Sequence, residues 1–306
     1  MAKDQEEKKQ LNVETFRKLT LAGLKLRYGS PLPEAIQQRF LWESKSILDN
    51  GFEDYYLTAF YIFKFSTNSS VWARGAVSSS VTCYGLHITE IDPLRFGLHS
   101  VRFVNNERPM FQFDVEKSRF EEFMQGAEEK LQANATSVDI AHLRDSLLQD
   151  VTPMDYLEKR CERDVPADLD DELACYALRF PRTFDLYETY IRRKAGEAWS
   201  PTGIAKLDEI LAPTLGILTY QEQMFDVMDT FFKVTPIEEN EIRLAIQRGE
   251  KEKVEEFRSK RVALKEGVTA EEAATVWNIL TSNPRAFLKA HAASRVVSRY
   301  QFEVKF

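Results

Sequence analysis

The first strong pattern runs from Val13 to Arg27, where Phe16, Leu19, Leu24 and Leu26 recur at helical spacing. Gly29-Ser30-Pro31 ends it, and Pro33 is well placed to open a second helix reaching about Asn50. The buried face of that helix is expected at Ile36, Phe40, Ile47 and Leu48, with Gly51 as its stop. The polar residues 1–13 read as a flexible lead-in. Tyr55 to Phe65 is dense in aromatics, and a buried strand and a buried helix both fit it. Val71 to Gly75 predicts a short strand entering a turn. Ser78 to Leu86, made of small residues, predicts a helix packed closely on something. Asp92-Pro93 marks a turn. Phe111 to Val115 alternates as a strand and leads into an amphipathic helix over Lys117 to Leu131.

From about Ala133 the pattern is helical nearly throughout, with breaks at Phe180-Pro181 and Trp199-Ser200-Pro201. Gly216 to Tyr220 reads as a strand or a helix entry, and Glu238 to Lys265 as a long charged helical run. The expected fold class is α+β, mostly α, with domains at 1–132 and 133–306. The 306 residues suit one large or two ordinary domains, and 43% apolar residues are enough for a core.

Charge and cysteine content narrow the chemistry. A net charge of −7 excludes coating of nucleic acid by bulk charge but leaves room for a local basic cleft. Cys83, Cys161 and Cys175 are too few and too scattered for a disulfide framework or a zinc cage. His87, His99, His142 and His291 fall at no metal-ligand spacing. Nucleophile-elbow, P-loop and dinucleotide-binding glycine motifs do not occur. No signal peptide or membrane span is expected, and the expected location is the cytoplasm.

Three segments can carry chemistry. In Trp72 to Ser80, a glycine turn, Arg74 and three serines before a helix can form an anion site, although small residues there also serve packing. In Gln112 to Glu116, strand alternation puts Asp114 and Glu116 on one face beside Gln112. Such a pair can hold a divalent metal, and a solvent-facing strand edge gives the same pattern. Along Arg285 to Gln301, a helix would gather Arg285, Lys289, His291, Arg295 and Arg299 on one side, with Ala286, Ala290, Ala293, Val297 and Tyr300 opposite. That basic face is a candidate DNA-binding surface, and a solvated face is its competitor. The run Arg243 to Lys265 reads as a solvated helix, with Arg248 a candidate DNA contact.

Taken in order, these segments resemble the alpha subunit of bacterial DNA polymerase III, the C-family replicative polymerases. The resemblance rests on Leu26-Arg-Tyr-Gly-Ser-Pro-Leu-Pro33 and on Ala73-Arg-Gly-Ala76 followed by serines. It continues through Gly85-Leu-His-Ile-Thr-Glu-Ile-Asp-Pro-Leu-Arg-Phe-Gly-Leu98 and Arg102-Phe-Val-Asn-Asn-Glu-Arg108. Gly216-Ile-Leu-Thr-Tyr-Gln-Glu-Gln223 and Ala286-Phe-Leu-Lys-Ala-His-Ala-Ala293, running to Tyr300-Gln301, complete it.

The resemblance implies a palm-like region over 1–132 and a fingers-like helical domain over 133–306. By carry-over, Arg74 and Gly75 match a phosphate-facing turn, and Lys289 and His291 match contacts to nucleotide phosphates. The family's palm carries P-D-x-D-x-D with two metal-binding aspartates, and Gln112, Asp114 and Glu116 stand there. Asp114 is thus the expected metal ligand, with Glu116 as the other catalytic candidate, for Mg2+ held by an incomplete set. The family's G-R-G-S loses its serine to Ala76, and its R-P-G-P becomes Phe180-Pro-Arg-Thr183. The resemblance therefore implies a truncated and degenerate homologue in replication or repair. It would bind nucleotide or DNA with lost or weak nucleotidyl transfer. The alternatives are an active minimal or split polymerase completed by another polymerase subunit, and a non-catalytic interaction module.

Overall fold

In the computed structural model, residues 2–65, 71–134, 139–154 and 166–303 are described. Among the described residues the chain is mostly helical with two small sheets, and it divides into two compact units. The first is Met1–Glu158 with Ala293–Phe306, and the second is Lys159–Ala292. This division lies some way beyond the 132/133 boundary expected from the sequence, and the last helix contributes to both units.

The first unit begins with α1 (Ala2–Tyr28), α2 (Glu34–Asp49) and α3 (Glu53–Phe65). The structure carries α1 back through the polar lead-in, whose glutamate, glutamine and lysine residues are good helix formers. Phe16 and Leu24 of α1 are buried, but Leu26 is 78% exposed and lies off the buried stripe. Tyr55 to Phe65 resolves as a helix. It buries Tyr56 and Ile62 against Phe16 and a cluster of Phe103, Phe111 and Phe113. Then come β1 (Val71–Ala73), α4 (Val81–Gly85), β2 (Gln112–Glu116), α5 (Phe120–Asn134), α6 (Ile140–Leu148) and β3 (Asp150–Met154).

The three strands form one sheet in the order β1-β2-β3, with β1 antiparallel and β3 parallel to β2. Phe113 and Val115 point into the apolar core shared with α3, α5 and α6. Gln112, Asp114 and Glu116 therefore occupy the opposite face. Strand β3 went unforeseen because Pro153 argues against a strand. It is tolerated on an edge, where the missing N–H breaks no ladder.

The small residues of α4 are explained by α1. Gly23 and Gly85 let the two backbones touch: a Cβ on Gly23 would lie 1.8 Å from the Gly85 carbonyl oxygen.

The second unit holds α7 (Leu169–Leu178), α8 (Phe184–Lys194), α9 (Ala205–Leu211), α10 (Gln221–Phe231), β4 (Phe232–Lys233), α11 (Pro236–Arg248), α12 (Lys251–Glu256), β5 (Ala263–Leu264) and α13 (Ala270–Ser282). Phe180-Pro181 and Trp199-Ser200-Pro201 separate α7, α8 and α9 as expected. The charged run is broken where Gly249 turns left-handed, with φ +70°. Buried Phe257 then opens a short π-helical turn. The last helix, α14 (Lys289–Glu303), begins in the second unit, and its residues from Ala293 onward belong to the first. Cys83 and Cys175 are buried, and Cys161 lies outside the described residues. Among the described residues no helix is long and apolar enough to cross a membrane.

Candidate functional site

In the first unit, the polar face of the sheet gathers one charged cluster. Gln112 and Asp114 of β2 stand beside Asp150 and Thr152 of β3, their register partners. Arg74 follows β1 at the turn where Gly75 adopts φ +72°, a conformation that favours glycine. Its Nε donates to Asp114 Oδ1 at 2.9 Å, and its Nη2 donates to Asp150 and to Thr152 Oγ1. Arg295 of α14 reaches the other oxygen of Asp114, with Nη1 at 2.8 Å from Oδ2. The same nitrogen lies 3.4 Å from Met154 Sδ on β3. Gln112 donates its amide to Asp150, and the Gly75 N–H donates to Ser294 Oγ at 3.3 Å.

The Asp114 side chain is 4% exposed. Burial pushes its carboxyl above the ordinary carboxylate range, while Arg295 and then Arg74 pull it back. Glu116, at the end of β2, accepts from the Ser118 hydroxyl.

This donor set does not fit magnesium. That ion needs excess carboxylate charge and open oxygen positions. Here two carboxylates face two guanidiniums, and each Asp114 oxygen already has a cationic partner. Among the described residues no group of three or more His, Cys, Asp or Glu side chains is arranged to hold a metal ion. The magnesium set expected around Asp114 and Glu116 is thus not one that these side chains form.

The serine-rich turn is likewise engaged from within. Glu43 of α2, fully buried, accepts from Ser80 Oγ at 2.7 Å, the Thr82 N–H at 2.9 Å and the Val81 N–H at 3.1 Å. The donors expected to face a phosphate at the start of α4 meet this carboxylate instead. Arg39 completes the arrangement through Nε to Glu43 Oε1 at 3.0 Å, and through Nη2 to the Ser79 and Leu98 carbonyls.

The basic face expected along α14 is not a solvated stripe. Arg285 precedes the helix in an exposed turn, Arg295 is paired with Asp114, and Arg299 is buried. Tyr300, expected on the apolar side, is exposed. Arg248 is exposed at the end of α11, 3.7 Å from Glu250.

In the second unit, two distant segments come together. Gln221 N–H donates to the Phe287 carbonyl at 2.8 Å, and Phe287 N–H donates to the Thr219 carbonyl at 2.7 Å. Gln221 Nε2 reaches the Ala286 carbonyl. Gln223 accepts from the Thr219 and Tyr220 amides and so caps α10. Gly216 takes φ +79° against the Trp199 ring, where a Cβ would lie 2.3 Å from a ring carbon. Buried Glu222 accepts the first amides of α14, from Lys289 at 2.7 Å and from Ala290 at 3.1 Å. Lys289 extends over the Tyr220 ring, with Nζ 5.5 Å from the centroid, and His291 stands edge-on to Phe287. The start of α14, with its positive dipole end, therefore carries an internal anion. Replacing Glu222 by glutamine turns an amide N–H toward a backbone donor. The expected loss is about 1–3 kcal/mol in the second unit, read as faster hydrogen exchange over residues 283–292.

Comparison with known sequences matches these two regions in turn. The profile described as bacterial DNA polymerase III alpha NTPase domain covers residues 14–169, just over half of the chain. The chain belongs to the bacterial DNA polymerase III alpha family. A second profile of that family, the alpha subunit finger domain, covers residues 155–270 and so begins close to the boundary between the units. A similar relative is an error-prone DNA polymerase of Burkholderia mallei, 35% identical over 116 residues, which are 36% of this chain and 11% of the relative. The DNA polymerase III subunit alpha of Borreliella burgdorferi is 38% identical over 107 residues, 34% of this chain and 9% of the relative. An error-prone DNA polymerase of Bdellovibrio bacteriovorus is 36% identical over 122 residues, 38% of this chain and 12% of the relative. The chain thus spans about a tenth of the length of the curated relatives it matches.

Proposed function

We propose that this polymerase III alpha-like chain serves DNA replication or repair by holding nucleotide or DNA backbone, and that it does not carry out nucleotidyl transfer by itself. In this reading the first unit is a reduced palm-like region and the second a fingers-like one. The observation that carries the loss of chemistry is Asp114 held between Arg74 and Arg295, with a neutral Gln112 beside it. Two-metal transfer needs carboxylates that fix two ions about 4 Å apart. A charge-balanced cluster attracts neither ion.

For the grip on phosphate, the reading relies on Arg285, Lys289 and His291, with Arg248 as an outlying contact. Arg285 and Arg248 are exposed, and the Lys289 ammonium lies over an aromatic ring at a helix start. A polymerase completed by another subunit has one observation in its favour, the second carboxylate that β3 sets beside Asp114.

Primer extension and retention on primed DNA test both readings. The expected result is no extension with magnesium or manganese by the chain alone. Binding should weaken steeply between low and moderate salt and fall on Arg285→Ala with Lys289→Ala. Template-directed extension by the chain alone sinks the non-catalytic reading. Extension only after adding a second polymerase chain selects the split enzyme. Binding unchanged in the double variant removes the grip and leaves an interaction module.

A further inference from the structure

The charged cluster of the first unit has a property separate from its lack of chemistry. A carboxylate as deep as Asp114 keeps its charge only against a cation. Arg74 alone is a weak candidate, because it divides its guanidinium between Asp114, Asp150 and Thr152. It also reaches only Oδ1. The second oxygen, Oδ2, is taken by Arg295, whose side chain is 15% exposed and lies against Met154.

We infer that Arg295 is a built-in counter-cation that stands at Asp114 in the place of a divalent ion. The first unit then keeps this buried carboxylate ionised with no metal at all. Arg295, more than the neutral Gln112, is what closes the Asp114–Asp150 pair to divalent cations. Asp150 is 40% exposed, so the pair has access to solvent. Without Arg295, two carboxylates would share the single guanidinium of Arg74, and Asp114 Oδ2 would be open. The local charge would change from balanced to −1, which attracts a divalent ion. The inference rests on the non-catalytic reading above and makes a separate claim about which cation Asp114 holds.

Manganese(II) is the probe, followed by loss of its free-ion electron paramagnetic resonance signal on titration into the full chain. The parent is expected to leave manganese free, and its thermal unfolding midpoint should not move with EDTA. Arg295→Ala should take up one equivalent, at least about tenfold more tightly than the parent. Adding Asp114→Asn should abolish that uptake. Circular dichroism checks folding, and Arg295→Gln takes the place of the alanine variant if that one unfolds. The inference falls if the parent binds manganese and loses it on Asp114→Asn. It also falls if a folded Arg295 variant binds no more manganese than the parent. Failure here is distinct from failure of the proposed function. A parent that binds manganese at Asp114 yet extends no primer refutes only the counter-cation.

Discussion

Replacing Glu43 by alanine is expected to destabilise the first unit by about 3–5 kcal/mol, the range for removing one partner of a buried, hydrogen-bonded charge. The carboxylate is fully buried and joins four donors: Arg39 Nε, Ser80 Oγ and the amides of Val81 and Thr82. Alanine leaves the Ser80 hydroxyl and the two amides facing a void, while Arg39 Nε keeps only Ser100 Oγ. Arg39 would become an uncompensated cation, although its bonds to the Ser79 and Leu98 carbonyls remain. Glutamine should be milder, since its carbonyl keeps part of the bonding while its N–H2 opposes the remaining donors. Hydrogen exchange resolved along the chain is the measurement. Protection should fall over α2, α4 and residues 98–100 in the first unit. Unchanged protection in Glu43→Ala would mean that the carboxylate is not a structural hub.

Glu43 also shows which parts of this molecule were legible in its sequence. Strands β1 and β2, the breaks around α8 and the packing role of the small residues in α4 follow from local pattern. Each depends on periodicity, on proline and glycine, or on side-chain size. Glu43 and Glu222 look like ordinary polar positions, and Arg39, four positions from Glu43, reads as a surface pair with it. The other three of the four donors to Glu43 lie 37 to 39 positions away, and the α14 amides that meet Glu222 lie 67 to 68 away. The same holds for Arg295, whose partner Asp114 is remote in sequence and reached only through the fold.

At the starts of α4 and α14 the backbone donors meet a buried glutamate. Helix starts and glycine turns attract negative charge, and a sequence does not say whether that charge is a ligand or a buried glutamate. Asp150 lies in a stretch whose pattern reads as helical from about Ala133, and Pro153 gives no sign of the edge strand that carries it. One signal went unused: Thr235 and Glu238, like Thr269 and Glu272, are spaced as capping boxes and mark the starts of α11 and α13.

Gly23→Ala should also be strongly destabilising, although it adds a single methyl group. The new Cβ would sit 1.8 Å from the Gly85 carbonyl oxygen and 2.8 Å from the carbonyl carbon, far inside van der Waals contact. Both atoms belong to backbone, so no rotamer change relieves the clash, and α1 and α4 must separate. Separation opens a gap around Leu24 and Val81, which are fully buried in the cluster with Leu32 and Ile36. Overpacking of this kind costs about 1–3 kcal/mol when side chains can shift, and a backbone obstacle sets the expectation at the upper end or beyond. The helix propensity of alanine over glycine, about 1 kcal/mol, works in the opposite direction and is outweighed. Gly126→Ala in α5 is the control, because a Cβ there meets nothing within 4 Å and only the propensity gain remains. The pair of variants, compared by urea unfolding midpoints, should therefore move in opposite directions. A Gly23→Ala chain as stable as the parent would mean that α1 and α4 are not in backbone contact, and that the small residues of α4 need another explanation.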